Sequence, residues 1–154
     1  MDIRNNVTYI SQNELLFNDT IRNNIILDKE ISEGEFLNVS RLTYVDEIIK
    51  DDLLGYDKML EENAINLSGG QRQRIILARA LLRNSKIILI DEGLNEIDIN
   101  LERKILKNIF NYYSNITFII VSHRFNNMDL FDKVIKIENK CVEVIAKNNG
   151  GYYE

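Results

Sequence analysis

Two adjacent carboxylates, Asp91 and Glu92, follow directly after the apolar run at 87–90. Carboxylates at the end of a buried strand suit magnesium and phosphate chemistry, because Mg²⁺ prefers oxygen ligands. Asp91 is then the candidate for holding Mg²⁺ through water. Glu92 is the candidate for orienting and deprotonating a water that attacks a γ-phosphate. The same pair also fits a solvated strand end, and the pair by itself does not decide between these alternatives.

A second candidate for phosphate chemistry is the stretch Ser68, Gly69, Gly70 and Gln71, at the start of a predicted helix. Two glycines leave the backbone N–H groups bare, and a helix start attracts anions through those groups and the helix dipole. The Ser68 hydroxyl can donate to a phosphate oxygen. An ordinary N-cap with a tight turn fits the same residues.

Strands and helices must position these residues, and the two kinds of pattern alternate along the chain. Continuous apolar runs are typical of parallel strands that are buried on both faces. We predict such strands at 87–90 and 116–121, a partly buried strand at Val7–Ile10, and edge strands at 134–138 and Cys141–Ala146.

Helical spacing of apolar residues predicts the intervening helices. They are a short helix capped by Asp19 or Thr20, a helical stretch at 33–50 broken near Thr43, and helices at about 70–83, 98–113 and 128–131. Residues 51–67 are predicted to be mostly loop, and 148–154 a frayed tail. This alternation indicates an α/β class with a parallel sheet.

Composition limits the classes of function. The 154 residues suffice for one domain, and 45% hydrophobic with 28% charged residues is typical of a globular protein. We expect no membrane span, because no apolar run approaches about 18 residues. The net charge of -5 argues against nucleic-acid binding. The single cysteine, Cys141, excludes an internal disulfide and indicates a reducing cytosol.

Five short motifs, in this order, resemble those of the nucleotide-binding domain of the ATP-binding cassette (ABC) family. Gln12, in Tyr-Ile-Ser-Gln at 9–12, matches the Q-loop, and Leu-Ser-Gly-Gly-Gln at 67–71 matches the signature. Residues 87–92 resemble the Walker B strand with its glutamate. Residues 95–98 resemble the D-loop, and His123 resembles the switch histidine. The resemblance covers essentially the whole chain.

The resemblance implies a partial P-loop NTPase-like core, a parallel sheet flanked by helices, with the ABC helical subdomain. The subdomain would span about 20–84, and the core 1–19 and 85–147. ATP and Mg²⁺ are the implied cofactors. By resemblance, Gln12 contacts Mg²⁺ and the attacking water, and His123 bonds the γ-phosphate. Ser68, Gly69, Gly70, Gln71 and Asp98 would contact nucleotide. Arg72 and Arg74 are expected on a solvated helix face, without a site role.

The stretches 15–25 and 55–62 resemble the corresponding sequences of ABC exporters, and among these the peptide or bacteriocin exporters are the nearest. The implied partners are the transmembrane domains of an exporter and a second nucleotide-binding domain, since two such domains sandwich each ATP. The implied location is the cytoplasmic side of the cell membrane. DNA-repair, chromosome and ribosome-associated relatives share the cassette, but the acidic balance argues against them.

The chain also departs from the family pattern. No G-x-x-x-x-G-K-[ST] string, the phosphate-binding P-loop, occurs in it. We therefore expect the C-terminal part of a nucleotide-binding domain, inactive in isolation. The alternative is a non-catalytic docking or regulatory module that supplies a signature half-site to a complete ABC domain. Gly93 stands where the family usually has Ala or Pro, and Glu96 stands where a small residue is usual. We expect Gly93 to loosen the backbone after Glu92.

Overall fold

A computed structural model describes residues 6–146 of the chain. The chain divides into two units, Met1–His123 and Arg124–Glu154. The described parts of these units are 6–123 and 124–146, and the predicted tail at 148–154 lies outside them. No helix in the described part of the chain has the length and apolarity needed to cross a membrane.

A three-stranded parallel sheet forms the framework of the first unit. Its strands are β1 (Val7–Ile10), β2 (Ile87–Asp91) and β3 (Thr117–Val121), in the spatial order β1-β2-β3. Ile90 of the central strand lies opposite Ile10 on one side and Ile120 on the other. The predicted parallel sheet is therefore confirmed.

One face of the sheet is buried at β1 and β2, whereas no residue of β3 is buried. Ile88 and Ile90 are fully buried, whereas the intervening positions of β2 are half-buried, and β3 leaves Ile119 and Val121 exposed. The prediction that β2 and β3 are buried on both faces is therefore wrong. An unbroken apolar run shows that a strand is hydrophobic, but it does not show which of its faces is covered.

Five α-helices lie in residues 6–123, the described part of the first unit, close to the predicted positions. Thr43 ends the second helix, so the predicted break is confirmed. The loop at 51–67 contains two single 3-10 turns and an isolated bridge from Met59 to Thr20. Of the two cap candidates it is Thr20 that caps, because its hydroxyl accepts from the N–H of Asn23. The helices are α1 (Ile21–Ile26), α2 (Glu33–Leu42), α3 (Val45–Ile48), α4 (Gly69–Leu81) and α5 (Ile99–Tyr112).

Helix α4 runs through the core of the first unit. Every residue from Gln73 to Leu81 is buried, although the segment includes Arg74 and Arg79. Burial on all sides is characteristic of a central helix rather than of a surface helix. The residues at the start of α4 are therefore held by a rigid element.

The described part of the second unit contains one 3-10 turn and two β-strands. Both predicted strands are present, as β4 (Lys133–Glu138) and β5 (Cys141–Ala146), and they pair with each other as an antiparallel hairpin, which the pattern did not predict. A 3-10 turn precedes them at Met128–Leu130. The hairpin turn places Asn139 and Lys140 at positive φ, which is the backbone twist that two-residue hairpins favour.

Candidate functional site

Four predicted site residues follow the carboxyl ends of the three parallel strands. Gln12 is exposed, two residues after β1. Asp91 ends β2, and Glu92 follows it. His123 comes two residues after β3. Because the strands are parallel and in register, all four residues lie at or just beyond the same edge of the sheet, where ligands of open α/β sheets bind.

Glu92 and His123 are in direct contact. The distance from His123 Nε2 to Glu92 Oε1 is 2.7 Å. A neutral imidazole that donates from Nε2 makes this a hydrogen bond, and a protonated one makes it an ion pair. The amide of Asn95 donates to the other carboxylate oxygen at 3.1 Å. Both oxygens of Glu92 are therefore held by donors.

The backbone at Glu92 is in the left-handed region, with a φ of 54°. Residues with a side chain seldom adopt this conformation, which costs about 1 kcal/mol or more. A backbone hydrogen bond from the Glu92 N–H to the carbonyl of Val121, at 3.0 Å, fixes the turn onto β3. Strain of this kind is concentrated at functional sites.

Gly93 is packed tightly, and the expectation that it loosens the backbone stays a prediction. It is buried, and a Cβ at this position would lie 2.8 Å from Ile10 Cγ2 and 3.0 Å from Ile90 Cγ2. Both distances are shorter than ordinary van der Waals contact. The absence of a side chain therefore allows the turn after Glu92 to pack against the sheet.

Asp91 accepts a hydrogen bond that the sequence pattern did not predict. The hydroxyl of Tyr9 donates to Asp91 Oδ2 at 2.9 Å. This hydrogen bond, followed by partial burial and the carboxylate charge, raises the pKa of Tyr9. The contact results from strand register, because Tyr9 pairs with Leu89, two residues before Asp91 on the same face.

The described residues hold no group of three or more His, Cys, Asp or Glu side chains that is placed to bind a metal ion. Asp91 is therefore not part of a larger cluster of such side chains within the described residues. A single carboxylate suits a Mg²⁺ ion that takes its other ligands from water and phosphate.

Ser68 and Gln71 form a capping box at the start of α4. The Ser68 hydroxyl accepts from the Gln71 N–H at 3.2 Å, and the Gln71 side chain accepts from the Ser68 N–H at 2.8 Å. The ordinary N-cap is thus present. Neither of these two bonds uses the hydroxyl hydrogen of Ser68. Donation from this hydroxyl to a phosphate oxygen remains a prediction.

The two signature glycines lie against the loop at 93–98. A Cβ on Gly69 would overlap the carboxylate of Glu96, and a Cβ on Gly70 would lie 2.7 Å from the Glu96 carbonyl oxygen and 3.3 Å from Ile97 Cα. A side chain at Gly70 would meet backbone, which cannot move aside easily. Glycine at this position therefore allows the loop to approach α4 closely.

Polar contacts reinforce this approach. The side-chain oxygen of Gln73 accepts from the Glu96 N–H at 2.8 Å, and Arg72 lies 3.7 Å from the Glu96 carboxylate. Gln73 is nearly buried, so its hydrogen bond is shielded from water. Sequence reasoning did not find Gln73, because a glutamine on a helix carries no distinctive signal.

Asp98 is the N-cap of α5. Its carboxylate accepts from the N–H groups of Asn100 and Leu101 at 3.0 and 3.1 Å. A role toward nucleotide remains a prediction. The predicted residues thus form two groups, one beyond the strand ends and one at the start of α4, and the loop after Glu92 connects them.

Arg74 is not on a solvated helix face, contrary to expectation. It is buried, and its guanidinium donates to the Tyr44 carbonyl at 2.8 Å. Burial lowers the pKa of Arg74, and the nearby charges of Glu47 and Asp46 partly offset that effect. Because α4 is enclosed on all sides, the polar residues in its sequence do not mark an exposed face.

Comparison with protein families matches residues 1–95 to the ABC transporter family. An ATP-dependent lipid A-core flippase of Yersinia pestis bv. Antiqua (strain Antiqua) is 39% identical over 139 residues, which cover 89% of this chain and 24% of the flippase. The flippase of Sodalis glossinidius (strain morsitans) is 38% identical over 144 residues, covering 92% and 25%. The chain thus spans about a quarter of the length of the curated relatives it matches.

A solved structure of a bacterial Atm1-family ABC exporter with ATP bound has a similar fold. The TM-score is 0.80 at 30% sequence identity, and the match covers 86% of this chain and 23% of the exporter chain. The family match extends over more than half of the chain and includes the strand-end carboxylates and the signature. The chain belongs to the ABC transporter family.

Proposed function

We propose that this chain is part of the nucleotide-binding domain of an ABC exporter, in which ATP binding and hydrolysis power transport across a membrane. The single observation that carries the proposal is the 2.7 Å contact between Glu92 and His123 beside Asp91. A general base, a second proton-carrying group and a Mg²⁺ ligand at one sheet edge are the groups that γ-phosphate hydrolysis needs.

Glu92 is the proposed general base, which accepts a proton from the attacking water at one carboxylate oxygen. Its left-handed backbone and the donors on both oxygens fix the carboxylate in place, so little reorganisation is needed during the reaction. His123 is 82% exposed, so its imidazole is accessible to a phosphate oxygen. Its proposed role is a hydrogen bond to the γ-phosphate.

The residues at the sheet edge fit Mg²⁺ and the phosphate end of ATP. Tyr9 occupies one oxygen of Asp91, which leaves Oδ1 to bind an ion through water. Gln12 is exposed beyond the same edge and supplies an amide oxygen. Bound Mg-ATP would supply the phosphoanhydride bond and a cation that neutralises the phosphate charge.

The signature residues Ser68, Gly69, Gly70 and Gln71 are proposed to bind the phosphates of the ATP held mainly by a second nucleotide-binding domain. The exposed capping box at the start of α4 supports this role, since N–H groups at a helix start attract anions. Asp98 is proposed to contact nucleotide in the same interface. We also propose that the chain divides into a helical subdomain at about 20–84 and a catalytic core formed by 1–19 and 85–147.

The proposed partners are that second domain and the transmembrane domains of the exporter, on the cytoplasmic side of the membrane. The relatives bear names that refer to the lipid A-core. A peptide or bacteriocin as the exported substrate remains a prediction from the stretch at 15–25.

A comparison of two variants tests the proposed function against the docking or regulatory alternative. In the transporter that contains this chain, Glu92→Gln is expected to slow ATP hydrolysis by about 10²–10⁴-fold, since the base is lost while the shape is kept. Ser68→Ala is expected to slow it as well. Glu30→Gln, on an exposed glutamate, is the matched control and keeps the normal rate.

The alternative predicts a different pattern. A module that only supplies a signature half-site is impaired by Ser68→Ala and unaffected by Glu92→Gln. Normal hydrolysis in the Glu92→Gln transporter would therefore overturn the proposed catalytic function.

A further inference from the structure

Arg79 is a buried arginine in α4 that the proposed mechanism does not use. Its side chain is 7% exposed. Its Nε donates to the Asn24 carbonyl at 2.7 Å, one terminal nitrogen donates to the Leu15 carbonyl at 3.0 Å, and the other donates to the Asn24 side chain at 3.1 Å. The guanidinium thus joins α4 to α1 and to the loop after β1.

Asn24, which is fully buried, extends these contacts along the loop. Its side-chain oxygen accepts from the Phe17 N–H at 2.7 Å, and its amide donates to the Phe17 carbonyl at 3.0 Å. The ring of Phe17 lies 5.4 Å from the guanidinium carbon of Arg79. Residues 14–17 have no regular secondary structure, so these side-chain contacts fix their position.

The loop carries Gln12 within a short turn. The Glu14 N–H donates to the Ser11 carbonyl at 3.3 Å, which closes the turn around Gln12. The carboxylate of Glu14 lies 3.7 Å from Arg79. A continuous set of contacts therefore runs from the Gln12 turn, through Glu14, to the buried guanidinium.

We propose that Arg79 is a positioning residue for Gln12, which holds the Gln12 loop to α4 so that loop and helix move together. α4 begins at the signature, so the same contacts link the Gln12 turn to the signature end. The link to catalysis rests on the proposed function, but the holding of the loop does not.

Lysine cannot replace Arg79 in this arrangement. The planar guanidinium donates at once in two directions, to the Asn24 and Leu15 carbonyls, whereas an ammonium group is a single point at the end of a flexible chain. The Arg79→Lys variant keeps the charge and much of the volume. It therefore removes the fixed geometry without removing the cation.

Amide hydrogen exchange on the 154-residue chain tests the holding of the loop without nucleotide. In Arg79→Lys, the amides of Phe17 and Glu14 are expected to lose protection by about tenfold or more, while the amides of β2 keep theirs. Arg83→Lys, at an exposed position near the end of the same helical region, is the matched control and leaves all of these amides unchanged.

A second variant covers the case in which Arg79→Lys fails to fold. Glu14→Gln removes the charge at the accessible end of the contacts, and it is expected to speed exchange at Glu14 but not in β2. Wild-type protection of the loop amides in the folded variants, or an equal loss of protection in β2, would overturn the proposal.

Steady-state kinetics of the transporter that contains this chain test the link to catalysis. Arg79→Lys is expected to lower kcat by about tenfold and to change KM for ATP by less than about twofold, because Gln12 acts on the reacting groups. Gln12→Ala should cause no further loss in the Arg79→Lys background. Independent, multiplying losses would overturn the link. No hydrolysis by the unmodified transporter would overturn the proposed function, and the exchange result would still decide the holding of the loop.

Discussion

Tyr9 forms a hydrogen bond with Asp91 that the sequence pattern did not predict. Its hydroxyl occupies one oxygen of Asp91, the proposed Mg²⁺ ligand, and so limits the directions from which that carboxylate binds an ion. Asp91 was identified because it follows an apolar run, which is a local signal. Tyr9 meets it only through the pairing of β1 with β2, which no local pattern in either strand contains.

The Tyr9–Asp91 hydrogen bond makes a prediction about pH. The pKa of Tyr9 lies above its usual value of 10.0, because the carboxylate accepts its proton in a hydrogen bond. The hydrogen bond therefore stabilises the fold fully below about pH 10, and that contribution is lost as the pH rises through the raised pKa. Following the Tyr9 ring resonances by NMR during an alkaline titration measures this pKa.

The Asp91→Asn variant removes the charge and weakens the acceptor, and we expect the Tyr9 ring to titrate at a lower pH in it. Glu30→Asn is the control, since Glu30 is exposed and distant in sequence from both residues. An unchanged Tyr9 titration in Asp91→Asn would show that the hydrogen bond does not form in solution.

At the level of elements, the close approach of α4 to the loop at 93–98 connects the two groups of predicted site residues. Gly70 has no side chain to separate them, and Gln73 holds the Glu96 N–H. The loop begins at Glu92, so the position of the proposed base depends on the start of the signature helix.

A pair of glycine substitutions measures this approach. Gly70 and Gly34 are both the second residue of a helix whose N-cap is a serine in a capping box. Gly70→Ala is expected to lower the free energy of unfolding by about 1–3 kcal/mol, because its Cβ would meet the Glu96 carbonyl oxygen. The measurement is urea-induced unfolding of the 154-residue chain.

Gly34→Ala is the matched control, because no atom lies within 4 Å of a Cβ added there. It is expected to raise the free energy of unfolding by about 0.5–1 kcal/mol, as alanine reduces the freedom of the unfolded chain. Equal effects of the two substitutions would show that the loop does not pack on Gly70.

The order and type of the elements could be predicted from periodicity and caps. The break at Thr43 and the helix that starts after Ser68 are both encoded by local sequence. The environments of Arg74 and Arg79 could not be predicted in this way. Both arginines are buried because other segments enclose α4, and their partners lie about 30 to 64 residues away along the chain.

For the whole molecule, membership of the ABC transporter family could be predicted from five short motifs in order. The burial of the faces of the sheet could not be predicted from the sequence. The family match and the exporter fold confirm the resemblance. Apolar runs in β2 and β3 indicated strands buried on two faces, but the structure buries only one face of β2 and neither face of β3. The motifs are local in sequence, but burial depends on every segment that packs against the sheet.

The proposed function depends on a single contact, between Glu92 and His123. The sequence predicted each residue separately, from its place after a strand. The contact itself depends on the left-handed turn at Glu92 and on the pairing of β2 with β3. If the two side chains act on one reaction step, then removing either side chain removes most of the rate acceleration that the pair provides.

A double-mutant cycle on ATP hydrolysis measures this dependence most directly. Glu92→Gln, His123→Ala and the double variant are compared in the transporter that contains the chain. Each single variant is expected to slow hydrolysis by about 10²–10⁴-fold. The double variant is expected to hydrolyse ATP no more slowly than the slower of the two single variants. Losses that multiply in the double variant, or a single variant with normal hydrolysis, would contradict the proposal that the pair forms the reactive centre of an ATPase.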